Sequence, residues 1–420
     1  MRPDNKFLRY YRTFLTSINV DVFLLLALLL YALNYQFAKP AVHIIILACL
    51  FVFMRKVLRS DMDLFKSRSR NLINISFFLS VGILYTHSLI YQNPISQYFF
   101  ENYGLTVLGC IFLSFFMART VGFSPLLRVA VISTLLLSIK GIVEYYQHGV
   151  ETYRVDAGFN LPIIYGTNVA ILSVLSMNAM GVFFREKQYA WFGMSLLAIS
   201  SGITAIAMSG SRGPLLTVLF LIAVVLAVHG YRAIHGRALF GIFIAIIAAS
   251  ILSLSVTPLD DRLIDGFQNL SSGDATTSIG IRVELWKGAL DIIKNHPLIG
   301  VGVGEHNAYF AERLKQDSKF IHDSAYGFKH LHNDALNILA WMGLFFGSIF
   351  LLPIACLLVY FWRQRQSDVG FSGLTIVITF ILCGLTNTPL MRSTSVSLLV
   401  LLTMYLLSLI ENGKKKVDTE

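Results

Sequence analysis

The most constraining feature of this chain is a stretch of about 20 apolar residues that recurs from one end to the other, each long enough for a helix to cross a bilayer. Twelve such spans are read, at about 19–36, 40–57, 72–91, 102–118, 124–144, 162–183, 189–209, 213–230, 237–256, 335–361, 370–388 and 393–411. In hydrocarbon every backbone group must be satisfied inside its own segment, so apolar runs of this length specify helices. The expected fold class is an all-α polytopic membrane protein with about 12 transmembrane helices. Charge supports this: Asp, Glu, Lys and Arg make up 14% of the 420 residues and mean hydropathy is +0.65, against roughly a quarter charged in soluble domains. That argues against a cytosolic enzyme, a secreted disulfide scaffold and a disordered chain. The first span is not a cleavable signal, because its apolar core is long and no small-residue cleavage site closes it.

The net charge of +10 would raise nucleic acid as a partner in a soluble protein. Here it reports orientation instead. With the N-terminus cytoplasmic, 21 of the 34 Lys and Arg fall on cytoplasmic segments, including Arg2, Arg9, Arg55, Lys66, Arg128, Arg185, Arg363 and Lys414. Eight lie in the long 257–334 loop, which is exempt from the rule, and Lys39, Lys140, Arg154, Arg212 and Arg392 remain outside. An even span count with both termini inside follows, and nucleic-acid binding is not expected. The organisation is spans 1–9 over 1–256, an external loop subdomain at 257–334, spans 10–12 over 335–411 and a cytoplasmic tail at 412–420. Cys49, Cys110, Cys356 and Cys383 all fall within spans and read as small apolar residues, with no metal-ligand spacing.

The external face holds the unusual chemistry. The long loop contains an amphipathic helix over 281–294, with apolar residues at 281, 285, 286, 289, 290 and 293. A glycine-rich turn over 295–304 follows, then a second helix at about 305–316. Ser209-Gly-Ser-Arg-Gly-Pro214 joins spans 7 and 8. Arg212 there reads either as a snorkelling interfacial side chain or, with Ser211 and Gly213 at a helix start, as an anion site suited to phosphate. Arg282, with Trp286 four residues on, reads either as a cation–π surface pair or as a second anion ligand. His330 and His332 precede span 10. They read as interfacial histidines, as a weak metal pair, or as a general base accepting a hydroxyl proton. Arg154, in Tyr153-Arg-Val-Asp-Ala-Gly158 before Tyr165-Gly-Thr-Asn168, reads as a headgroup or sugar contact or as a surface partner of Asp156. Lys140 and Glu144 are expected to pair with each other.

Taken together in order and spacing, Ser211-Arg-Gly213, Arg282-x-x-x-Trp286, His296-Pro-Leu-Ile-Gly-Val-Gly302 and His332-Asn-Asp-Ala-Leu-Asn-Ile-Leu-Ala-Trp-Met-Gly343 resemble the O-antigen ligase/O-antigen polymerase superfamily, and most closely its ligase branch. The resemblance implies a GT-C-type glycosyltransferase of the bacterial inner membrane, inverting and metal-independent, with no cofactor and an external active site. The implied donor is O-antigen polysaccharide on undecaprenyl diphosphate, and the implied acceptor is a hydroxyl of the lipid A–core oligosaccharide. By motif match His332 is the catalytic histidine, and Arg212 and Arg282 bind the diphosphate. Arg154, Ser211 and Gly213 join the donor side, and His330, Asn333, Asp334 and Trp286 the acceptor side. Asp334 departs from the pattern, which often places a bulky residue after the His-Asn pair. A polymerase with the same donor and a protein O-oligosaccharyltransferase are the nearest alternatives. A lipid-linked glycan transporter is a reading from another class, disfavoured because the spans are nearly free of charge.

Overall fold

A computed structural model of the chain describes residues 28–29, 67–114, 122–148, 154–233 and 275–417. Among these, every regular element is a helix: α1 (Arg68–Tyr91), α2 (Pro94–Phe99), a π-helical turn (Phe100–Gly104), α3 (Leu105–Ser114), α4 (Phe123–His148), α5 (Pro162–Arg185), α6 (Tyr189–Met208), α7 (Arg212–Ala233), α8 (Ser278–Asn295), α9 (His306–Gln316), α10 (Asp334–Arg363), α11 (Asp368–Gly384) and α12 (Ser393–Val417). Six of them are long and apolar enough to cross a membrane, namely α1, α4, α5, α6, α10 and the 393–413 part of α12; shorter apolar helices lie at Arg212–Val225 and Asp368–Gly384. Apart from residues 28–29, the spans expected at 19–36, 40–57 and 237–256 lie outside the described residues.

α5 is the hub. It packs against α4, α6, α7, α11 and α12, and its side chains are buried along nearly its whole length. Lipid is as apolar as leucine, so helices associate there through close contact of small residues and hydrogen bonds between them. The sequence supplies both. Gly202 of α6 sits where any side chain would strike Ser173 of α5, Thr134 of α4 shares a 2.9 Å hydroxyl bond with Ser176, and Asn178 donates to Thr375 of α11 at 2.8 Å.

α8 and α9 stand apart on a core of their own. The expected apolar stripe becomes a helix beginning at Thr277, whose hydroxyl accepts from the Gly280 N–H at 3.0 Å. Leu285, Ala289 and Ile292 bury against Phe310, Ile321, Ala325 and Leu331, and against Ala340 of α10. This small core seats the loop helices on the N-terminal end of α10.

α10 is not one continuous helix. Gly343 breaks it with φ 68 and ψ −178, a backbone region open essentially to glycine alone. The turn at 297–302 fills the break. Leu344 and Phe345 donate backbone N–H bonds to the Pro297 and Leu298 carbonyls at 2.7 and 3.1 Å, while Val301 and Gly302 donate to the Ala340 and Trp341 carbonyls at 3.1 and 2.8 Å. Backbone groups freed by the break are thereby paired, as an apolar surrounding demands. The approach is so close that a Cβ on Gly343 would lie 2.3 Å from the Leu298 backbone. Gly343→Ala is therefore expected to destabilise the protein by ~1–3 kcal/mol from backbone strain alone, read as a lowered thermal midpoint in detergent. Gly193→Ala, whose new Cβ would meet nothing within 4 Å, is the matched control.

Candidate functional site

Side chains of α8 and α10 fix the segment just before α10. Leu331, fully buried, is held on both backbone groups: its N–H donates to Asn337 Oδ1 at 3.0 Å and its carbonyl accepts from the Trp286 indole at 3.1 Å. Asn333 caps α10, accepting from the Leu336 N–H at 3.1 Å, and its amide donates to the Leu385 carbonyl at 3.1 Å. Asp334 turns inward, where its carboxylate accepts from the Leu390 N–H at 3.2 Å. Between these fixed points His332 adopts φ 51, a left-handed conformation that costs a non-glycine residue about 1–2 kcal/mol. Such strain persists only where surrounding contacts hold it, and here it sets the direction of the imidazole. The His330 and His332 rings meet edge to face at 4.5 Å, with Phe328 beyond His332 at 5.5 Å. Among the described residues no hydrogen-bonding partner reaches Nδ1 of either histidine.

The arginines come from three separate parts of the chain. Ser209-Gly-Ser211 forms the turn between α6 and α7 and rests on the start of α5. Ser211 donates to the Pro162 carbonyl at 3.1 Å, and a side chain on Gly166 would strike Ser211. Arg154 reaches this turn, its Nε donating to the Ser209 carbonyl at 3.0 Å and its Nη2 to the Gly210 carbonyl at 3.4 Å. Arg212 opens α7, and Gly213 after it lies tight against Thr386. Arg282 projects from the first turns of α8. Its pKa is lowered by burial and then by the positive charges of Arg154 and Arg212, so these three cations share one region. His332 adjoins the same field. Its pKa is pushed down to about 4 by burial, then by Arg282 and by Arg392. The His330 pKa is pushed down to about 3 by burial first, then by His332, Arg392 and His306. Both imidazoles are therefore neutral at pH 7 and face cations.

The structure links Arg154 and Arg212 to Arg282, Arg282 to His332 and His332 to His330, and it places Ser211, Gly213, Asn333, Asp334 and Trp286 in the turns and helix ends that carry or hold them. Trp286, read as a stacking partner of Arg282, holds the histidine segment through Leu331. Lys140 donates to the Ala157 carbonyl at 2.6 Å, and Glu144 accepts from the Asp156 N–H at 3.2 Å. Both side chains staple the irregular segment that carries Arg154. Tyr165, Thr167 and Asn168 are fully buried within α5, away from any surface.

Three residues escaped the sequence reading. Arg392, counted there only as an external cation, donates to the Tyr98 hydroxyl at 3.0 Å and lies 3.4 Å from His330 Nε2. Tyr98 belongs to the short helix α2 and carries no signal of its own. His306 is fully buried, with Nε2 on the Phe328 carbonyl at 2.8 Å and Nδ1 accepting from the Trp341 indole at 3.0 Å. It pins the loop subdomain to α10. Burial lowers its pKa to about 4, so protonation opposes this pin. Unfolded histidine titrates near 6.5. Above that pH the ring is neutral in both states; as pH falls from 6.5 toward 4 the unfolded chain takes up protons that the folded chain refuses. Stability is therefore expected to fall through that window, by on the order of 3 kcal/mol for His306 alone. His306→Gln should flatten the dependence of thermal midpoint on pH by about one proton.

Residues 194–351 match the family model described as O-antigen ligase. The matched stretch contains Arg212, Arg282, His330 and His332, whereas Arg154 and Arg392 lie outside it. The chain is also similar to an uncharacterized protein of Haemophilus influenzae, at 25% identity over 236 residues. That similarity covers 54% of this chain and 58% of the relative, so it spans less than two thirds of that protein.

Proposed function

We propose that this chain, whose residues 194–351 form an O-antigen ligase family segment, transfers a glycan from undecaprenyl diphosphate to a hydroxyl of the lipid A–core oligosaccharide on the external face of the bacterial inner membrane. The observation that supports this most is the chain of cations in which Arg154 and Arg212 act on Arg282 and Arg282 on His332, just before α10, a helix apolar enough to span a bilayer. The acceptor oxygen attacks the anomeric carbon of the donor sugar from the face opposite the diphosphate. The bond from that carbon to the diphosphate oxygen breaks, configuration inverts, and undecaprenyl diphosphate leaves with both electrons of that bond.

Charge on the leaving diphosphate grows in this step. Groups fixed in advance where charge develops lower the barrier more than groups that must reorient. Arg212 and Arg282 serve as planar forks for phosphate oxygens, and Arg154 keeps the Ser209–Ser211 turn in place beneath Arg212 while adding a third positive charge. His332 accepts the hydroxyl proton. Its depressed pKa keeps the ring neutral and able to accept at neutral pH. A bound diphosphate offsets the charge of Arg282, so the base strengthens once donor is present. The arginines bear on the donor diphosphate, which a polymerase would share; the two activities differ in the acceptor. Purified protein given lipid-linked glycan and rough lipopolysaccharide is expected to yield lipopolysaccharide carrying a ladder of glycan lengths. Longer lipid-linked glycan with unmodified lipopolysaccharide would establish the polymerase instead.

A further inference from the structure

Among the described residues two arginines, Arg282 and Arg392, act on the histidines, and they belong to different groups. Arg154 and Arg212 act on Arg282, whereas Arg392 acts on His330 and His332. His332 is the group common to both sets, since Arg282 and Arg392 each lower its pKa while Arg392 is not among the charges that depress Arg282. The two sets also come from different parts of the fold. Arg392 follows the Pro389–Met391 turn that leads into α12, and its guanidinium is aimed by the Tyr98 hydroxyl of α2 and lies 6.0 Å above the Tyr98 ring. Its nitrogen contact in the site is with His330 Nε2, a neutral acceptor, and among the described residues no carboxylate forms an ion pair with it.

A diphosphate carries roughly two negative charges, which three arginines already exceed. A fourth, held against His330 and Tyr98, calls for a different anion. We infer that Arg392, with Tyr98 and His330, forms a second anion site that takes a phosphate or carboxylate borne by the saccharide acceptor and so presents the acceptor hydroxyl to His332. This rests on the reading of His332 as the group that meets the acceptor. Arg392 binds and orients in this account and takes no part in bond making.

The test uses full-length protein in zwitterionic nanodiscs and measures equilibrium binding without turnover. The probes are a deacylated phosphorylated core oligosaccharide, the same oligosaccharide after phosphatase treatment, and inorganic pyrophosphate. Wild type is expected to prefer the phosphorylated oligosaccharide by about tenfold, one charge-assisted hydrogen-bonded contact. Arg392→Ala should abolish that preference and leave pyrophosphate binding unchanged, and Arg212→Ala should do the reverse. Tyr98→Phe, which removes the hydroxyl that aims the guanidinium and keeps every charge, should reduce the preference in part, and it carries the test should Arg392→Ala not fold.

An unchanged preference in Arg392→Ala or Tyr98→Phe would overturn the site. So would pyrophosphate binding that falls as much in Arg392→Ala as in Arg212→Ala, or displacement of the oligosaccharide by anionic lipid alone, which would assign the arginine to a bilayer headgroup. A protein that binds in the expected pattern yet transfers no glycan would count against the transferase reading and for the anion site. Transfer by a protein with no phosphate preference would do the opposite.

Discussion

Arg212→Lys is expected to lose glycan transfer by about a hundredfold while keeping its positive charge and its fold. The size follows from the cost of removing one preorganised contact to a developing oxyanion, about 10²–10³ in rate. Lysine restores the charge but not the planar fork that holds two phosphate oxygens at once. The fold should survive, because the turn beneath Arg212 is held by bonds that do not use its guanidinium: Ser211 to the Pro162 carbonyl and Arg154 to the Ser209 and Gly210 carbonyls. The measurement is the initial rate of glycan transfer by detergent-purified protein, with thermal midpoint recorded beside it. Wild-type-like transfer by this variant would count heavily against the arginine clamp.

The second large effect concerns the histidines. His332→Ala is expected to lower transfer by about 10²–10⁴, the usual contribution of a positioned general base. His330→Ala should cost far less, because His330 Nε2 is already engaged by Arg392 whereas His332 lies under the influence of Arg282. The pH profile distinguishes a base from a residue that only orients the acceptor. If His332 accepts the proton, activity falls in acid as its ring becomes charged, and the midpoint of that fall moves upward when donor saturates the enzyme, because bound diphosphate offsets Arg282. In His332→Ala the residual rate should lose this donor-dependent shift. Equal losses in His330→Ala and His332→Ala, with no shift in either profile, would assign both rings to packing.

Much of the helical layout was legible because bilayer thickness imposes a length on apolar runs. The runs at 72–91, 124–144, 162–183 and 189–209 became α1, α4, α5 and α6 with ends within a few residues, apart from the longer termini of α1 and α4. The loop stripe became α8 for the same kind of reason, a 3.6-residue period. The break in α10 was not legible. Trp341-Met-Gly-Leu-Phe345 reads as unbroken apolar sequence, and only the 297–302 turn packed beside Gly343 reveals why a glycine stands there.

The site was legible residue by residue and illegible as an assembly. Arg154, Arg212 and Arg282 stood out because charge is scarce near membrane spans, yet no periodicity joins positions so far apart in the chain. Trp286 shows the limit of local spacing. Its place four residues after Arg282 suggested a stacked pair, whereas its indole bonds the Leu331 carbonyl far along the chain. Arg392 and His306 were missed for a related reason: each owes its setting to a distant partner, Tyr98 for one and Trp341 for the other.

The most direct test of the central claim is a single-turnover reaction of purified protein with radiolabelled lipid-linked glycan and rough lipopolysaccharide in excess chelator. The account predicts label on lipopolysaccharide and release of one undecaprenyl diphosphate per glycan transferred, at a rate that chelator leaves unchanged and that Arg212→Lys and His332→Ala both depress. Recovery of the glycan still joined to its original lipid, or transfer that stops in chelator and returns with added divalent cation, would contradict it.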